Sequence, residues 1–130
     1  MKLGATLYIS NSPEAVGFYL EAFGMTLGYH VKNSDGTFMH AALLKDNEEI
    51  FAVSESHNEA LVKMMLSSSL IEARPTMSYG INFSSEDEIR KAYDMLRVDG
   101  TVLLPLGPLP WSECAAEVVD KYGVYWYIYL

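Results

Sequence analysis

The residues able to do chemistry here are three histidines, one cysteine and nine tyrosines, and their spacing sorts them. His30, His40 and His57 lie ten and seventeen residues apart, spacings that match no metal motif. His40 shares strand parity with Phe38 and Ala42. There an imidazole can hydrogen-bond a ligand or act as a general base near neutral pH; a half-buried histidine satisfied by a neighbour is the alternative. His30 and His57 read as surface residues. Cys114 has no helix N-terminus or adjacent histidine to activate a thiolate, and reads as a small apolar strand residue. The densest chemistry is at the C-terminal end, Asp120-Lys-Tyr-Gly-Val-Tyr-Trp-Tyr-Ile-Tyr-Leu130. Val124, Trp126 and Ile128 alternate with Tyr125, Tyr127 and Tyr129, so a strand here presents one dry face and one face of phenols. Phenolic hydroxyls are costly to bury unpaired, so that second face suits a wet cleft. By the same parity Tyr8 and Asn82 join it. Trp111 follows the proline-rich stretch Pro105-Leu-Gly-Pro-Leu-Pro110, expected to be a stiff loop that fixes the indole as a cleft wall.

Two runs of elements must position these side chains. Residues 3–10 read as a strand with Ala5, Leu7 and Ile9 on one face and Gly4, Thr6 and Tyr8 on the other. Ser12-Pro13-Glu14 then opens a helix, with Ser12 as its expected cap, and Gly24 stops it. Strands follow at 25–31, 37–44 and 50–53, separated by turn clusters at Asn33–Gly36 and Asp46–Glu49. Residues 57–72 form an amphipathic helix, with Leu61, Val62, Met65 and Leu66 on one side. It is either a linker helix packed on the sheet or a lid. From 77 the pattern restarts: a strand with Tyr79, Ile81 and Phe83 on one face, then the capping box Ser85-Glu-Asp-Glu88. A helix with Ile89, Ala92, Tyr93 and Leu96 inward follows, then strands near 101–104, 112–119 and 124–129. Sliding the chain by 74 positions sets Ile9 on Phe83, Ser10 on Ser84 and Tyr19 on Tyr93. The expected fold is α+β, two tandem βαβββ modules forming a rolled mixed sheet around a cleft. All 130 residues make one domain: module one about 1–55, a connector about 56–76, and module two about 77–130.

Composition narrows the partners. A formal net charge of −8 gives no basic footprint for nucleic acid or an anionic membrane surface. No apolar run approaches membrane-spanning length. A lone cysteine and no leader-like apolar segment predict a cytoplasmic protein without an internal disulfide.

Four patches of this sequence resemble one family. They are Tyr8-Ile9-Ser10 with Pro13-Glu-Ala-Val-Gly-Phe-Tyr-Leu-Glu-Ala-Phe-Gly24, then Phe38-Met-His-Ala41, then Pro105-Leu106 with Pro110-Trp111, and Asp120-Lys-Tyr-Gly-Val-Tyr-Trp126. In this order they resemble the vicinal-oxygen-chelate superfamily, the glyoxalase and bleomycin-resistance fold, and within it the PhnB-like, or demethylubiquinone-methyltransferase-like, group. The resemblance gives His40 a counterpart and supports the cleft assignment of Tyr8, Asn82, Tyr125 and Tyr127. It implies a homodimer. It implies no reaction, because the fold hosts lyases, dioxygenases, isomerases and pure binders. Where the group continues after its tryptophan with Gly-Asp, this chain has Ser112-Glu113, and Glu113 is the expected stand-in for that acid.

Metal-dependent relatives place ligands on the first and last strand of each module. By resemblance those positions fall on Gly4 and Gly80, on Tyr127, and near Phe51 or Ala52. None supplies a good ligand for Zn²⁺ or Ni²⁺, so no metal and no cofactor is expected. No glycine motif for an adenosyl cofactor accompanies the methyltransferase name. The leading expectation is a small-molecule-binding protein whose small organic ligand meets Tyr8, His40, Asn82, Trp111, Glu113, Tyr125 and Tyr127. The alternatives are a metal-dependent lyase, isomerase or dioxygenase with relocated ligands such as His40 and Glu113, or a structural dimer whose cleft the 57–72 helix closes.

Overall fold

The computed structural model describes residues 1–67 and 73–130, and in it the chain divides into two units, Met1–Glu59 and Ala60–Leu130. The first contains β1 (Thr6–Ile9), α1 (Ser12–Phe23), β2 (Thr26–Lys32), β3 (Phe38–Lys45) and β4 (Glu48–Glu55). The second contains β5 (Tyr79–Asn82), α3 (Glu86–Leu96), β6 (Thr101–Leu109), β7 (Ser112–Val119) and β8 (Tyr125–Tyr129). A short helix, α2 (Glu59–Met65), lies at the join. Each unit is βαβββ with a four-stranded mixed sheet, ordered β1-β4-β3-β2 and β5-β8-β7-β6. In both, the first strand runs parallel to the last and the other pairs are antiparallel. The two-module α+β architecture is the one the internal repeat predicts. No helix among the described residues is long and apolar enough to cross a membrane.

One face of each sheet is closed by its helix. In the first unit, α1 buries Ala15, Val16, Tyr19, Ala22 and Phe23 among Leu7, Ile9, Ala41, Leu43, Phe51 and Val53. Tyr19 stacks on Phe23 and meets Phe51 edge-on, at 5.8 and 5.6 Å between ring centroids. In the second, α3 buries Ile89, Ala92 and Leu96 over Cys114, Ala116, Val118, Trp126 and Ile128. Ser85 caps α3 as its sequence predicts, accepting the Glu88 amide at 3.2 Å, and Arg90 pairs with Glu86 one turn earlier at 2.8 Å. The β3–β4 hairpin turns on Asp46 and Asn47, both at positive φ, which matches the right-handed twist of the strands.

Three local expectations are corrected. Ser12 does not cap α1: its buried hydroxyl accepts the Phe38 amide at 2.8 Å. The free amides of Asn11 and Ser12 instead bond the Glu55 carboxylate at the end of β4, at 3.1 and 2.8 Å. A negative group from a neighbouring strand therefore serves the helix dipole. Among the described residues, the helix expected over 57–72 is Glu59–Met65 and buries no side chain; Leu61 and Met64 are exposed, and the expected part at 68–72 lies outside the described residues. The proline stretch is not a loop, because β6 continues through Pro105 and Pro108 to Leu109 with breaks of register. An edge strand tolerates prolines, since their missing N–H groups forfeit no ladder bond on the open side.

The Asp120–Val124 turn joins β7 to β8 and is built around one carboxylate. Asp120 is fully buried; its Oδ1 accepts the amides of Tyr122 and Val124 at 2.9 and 3.1 Å, and its Oδ2 accepts the Trp126 indole N–H at 2.8 Å. Gly123 completes the turn at φ 84°, with Val62 of α2 packed 3.2 Å from where a Cβ would stand. A second glycine is required for space alone. A Cβ on Gly100 would lie 2.5 Å from the Val119 carbonyl oxygen and 2.8 Å from that of Leu96, both backbone atoms. Gly100→Ala is therefore expected to lower stability by about 1–3 kcal/mol, read as a lower urea midpoint at unchanged slope.

Candidate functional site

On the second sheet, strand register fixes which side chains share the face away from α3. Gly80 of β5 sits opposite Tyr127 of β8, which sits opposite Glu117 of β7. One level along, Asn82 sits opposite Tyr129, and Tyr129 opposite Ala115. Tyr125 is opposite Val119 on the same face. The two-residue turn Pro110–Trp111 between β6 and β7 brings in the indole of Trp111, which is 71 % exposed. Its Nε1–H donates to the Tyr127 hydroxyl at 2.8 Å. Tyr127 in turn stacks on Tyr129, centroids 4.9 Å apart and planes 15° from parallel. An indole N–H can only donate, so the Tyr127 oxygen is the acceptor and its own proton remains to be given to a ligand. Gly80 leaves room beside this pair: a methyl placed there would meet nothing closer than Tyr129 Cε1 at 3.8 Å and Tyr127 Cδ1 at 3.9 Å. The arrangement is a flat aromatic platform with one aimed donor.

Tyr125, expected to stand open, is 6 % exposed and donates its hydroxyl to Glu117. Glu117 also accepts Arg74 Nε at 2.9 Å. Burial raises the Tyr125 phenol, helped by the Glu117 charge, to about 12. Burial also pushes the Glu117 carboxyl up. The hydrogen bonds from Arg74 and Tyr125 and the guanidinium charge together outweigh it and hold the acid below its ordinary range. The signs differ at the two ends of the pH scale. A lowered Glu117 contributes stability that is present above its unfolded value and is lost as pH falls through the folded one. A raised Tyr125 contributes stability that is present below the ordinary phenol value and is lost as pH climbs towards about 12. Among the nine tyrosines, Tyr125 is expected to titrate late by tyrosinate absorbance, and Glu117→Gln is expected to flatten the acid limb of the stability profile.

Neither Glu117 nor Arg74 was among the residues expected from sequence. The available signal was a second acidic residue inside the 112–119 strand, at the parity of Glu113 and of the phenol face; its partner in the connector carries no local signature. Glu113 is exposed, on the rim of a shallow depression of about 370 Å³ with Pro108, Leu109, Pro110, Trp111 and Ser112. Cys114 is buried against α3 and burial pushes its thiol up, which leaves it unreactive.

On the first sheet, Tyr8 stands 62 % exposed on the helix-free face with Thr6. His40 lines a pocket of about 500 Å³ with Gly4, Thr6, Ile50 and Ala52, and its ring lies 6.2 Å from that of Tyr29. His30 is exposed, its Nδ1 2.9 Å from the Gly28 carbonyl oxygen, and His57 is exposed.

The register also revises one expected ligand position. Gly80 pairs with Tyr127, and the equivalent pair in the first unit is Thr6 with Ala52, so Thr6 rather than Gly4 corresponds to Gly80. The four side chains are then a hydroxyl, a methyl, a phenol and none, a donor set that does not fit a divalent transition metal. Among the described residues no group of three His, Cys, Asp or Glu side chains converges to hold one.

Residues 5–128 match the model of the Glyoxalase/Bleomycin resistance protein/Dioxygenase superfamily. No curated protein matches the chain in sequence. Among solved structures the chain is similar to the PhnB protein of Bacillus cereus, which carries a provisional 3-demethylubiquinone-9 3-methyltransferase name. Identity is 27 % over 100 % of this chain and 99 % of that one, with a TM-score of 0.74. A Pseudomonas aeruginosa protein is 22 % identical over 99 % and 96 % of the two chains, TM-score 0.70. TioX of a Micromonospora species is 17 % identical over 99 % and 94 %, TM-score 0.64. The last two show likeness of fold alone.

Proposed function

The chain belongs to the glyoxalase/bleomycin resistance protein/dioxygenase superfamily, and we propose that within it this is a PhnB-like protein that binds a planar small organic ligand without a divalent metal. The observation that carries the reading is the Trp111–Tyr127 hydrogen bond, which turns the tyrosine into a directed donor beside an exposed indole. A ligand with a flat ring and a carbonyl or similar acceptor satisfies both parts. Tyr8 and His40 in the first unit, and Asn82, Glu113 and Tyr125 in the second, are proposed as further contributors. The methyltransferase name of the Bacillus relative is not carried over.

A homodimer in the cytoplasm completes the proposal. Supporting the dimer, the edge strand β2 exposes Leu27, Tyr29 and Val31 in one run, an apolar edge that soluble monomers ordinarily cover or charge. Light scattering is expected to give twice the 14.5 kDa chain mass. Native mass spectrometry of the purified protein, alone and with a panel of planar carbonyl compounds, tests the ligand directly. The expected result is an organic adduct that Trp111→Ala removes, with no stoichiometric Zn²⁺, Ni²⁺, Mn²⁺ or Fe²⁺. A stoichiometric metal lost on His40→Ala would instead support a metal-dependent enzyme.

A further inference from the structure

Granted a ligand on the aromatic platform, a reading on which this inference rests, the charged group beside the platform narrows the ligand's class. Glu117 sits on a central strand between Tyr127 and β6, with its side chain 15 % exposed. Its strand neighbours of the same parity, Ala115 and Val119, are apolar and fully buried. A carboxylate in that position is expensive unless paired, and packing alone would be met by an apolar residue. Its partner is loosely supplied. Arg74 comes from the irregular segment before β5, and its side chain is half exposed. Both Arg74 and Tyr125 bond the same oxygen, Oε1; among the described residues Oε2 accepts nothing. Across the ladder Glu117 faces Leu104 of β6 and Tyr127 of β8. One strand beyond Tyr127, Gly80 carries no side chain, and Gly107, opposite Ala115, has open space, the nearest neighbour to a Cβ there being the Pro105 carbonyl oxygen at 4.0 Å. The ring faces of Tyr127 and Tyr129 lie alongside.

We propose that the ligand is a small organic cation, a flat ring bearing an amine, amidine or guanidinium, which places that group on Glu117 and its ring against the Trp111–Tyr127–Tyr129 platform, with Arg74 as the displaceable internal counter-ion. A neutral ligand that displaced Arg74 would leave a desolvated carboxylate unpaired, and an anion would meet Glu117 as a like charge. Phenol and indole faces attract cations, and the chain's net charge of −8 favours their approach.

Benzamidine and benzamide, nearly identical in shape and different in charge, test the assignment by calorimetric titration of the full chain. Wild type is expected to bind benzamidine about tenfold or more tightly than benzamide, with affinity falling as salt rises. Glu117→Gln should erase the preference. Arg74→Ala leaves Glu117 without its counter-ion and should lower stability. It should strengthen benzamidine binding by removing its competitor, and benzamidine should raise the variant's melting temperature more than it raises that of wild type. Equal binding of the two compounds overturns the cation assignment while leaving a planar-ligand site standing. A preference that survives Glu117→Gln in a variant with wild-type circular dichroism overturns it too. If benzamidine binds neither wild type nor Arg74→Ala, the assignment falls, and native mass spectrometry decides separately whether any ligand is held.

Discussion

Replacing Asp120 by alanine is expected to lower folding stability by about 3–5 kcal/mol, the range for stripping the partner from a buried charged network. The carboxylate is fully buried and serves three donors, two turn amides and the Trp126 indole. Removing it strands all three in a turn that sets where β8 begins, and β8 lies between β5 and β7 in its sheet. Asp120→Asn should lose less, about 1–3 kcal/mol, because an amide oxygen can keep the turn but its NH₂ then faces the indole N–H. Urea unfolding of both variants decides this, and a loss below about 1 kcal/mol for alanine would contradict the account. This residue opens the Asp120–Trp126 patch that resembles the family's ending. Its geometry makes it a structural clamp.

Trp111→Ala is expected to weaken ligand binding by about tenfold or more while shifting stability by about 0.5 kcal/mol or less, since the indole is mostly exposed. Tyr127→Phe removes both the acceptor for the indole and the donor for the ligand, and should weaken binding by about tenfold. The phenylalanine ring can still stack on Tyr129, so folding should be little changed. Affinities measured for the ligand identified by native mass carry the comparison. Unchanged binding in both variants would remove the platform from the site.

Local chemistry made much of this fold legible. The phenol alternation of β8, the Ser85 cap and the twin βαβββ order all follow from short-range pattern, and all appear in the structure. What could not be read was set by contacts distant in sequence. Glu55 takes over the capping of α1 from 43 residues away, freeing Ser12 for β3. Pro105 and Pro108 look like loop residues until β6 is seen to be an edge strand. The shift from Gly4 to Thr6 follows from parallel register, which one sequence does not fix. At the candidate site, the placement of Tyr127 and Trp111 on one face was legible by parity and motif. Glu117 carried only a parity that it shares with Glu113, and Arg74, in an irregular segment, carried no periodic trace.

The most direct test uses the chain's two tryptophans, each with its indole N–H in a defined hydrogen bond. In a ¹H–¹⁵N correlation spectrum, adding the ligand should displace the Trp111 indole resonance, bonded to Tyr127, and leave that of Trp126, clamped by Asp120, in place. A ligand shown by mass to be bound at stoichiometry that leaves the Trp111 resonance unmoved would contradict the site.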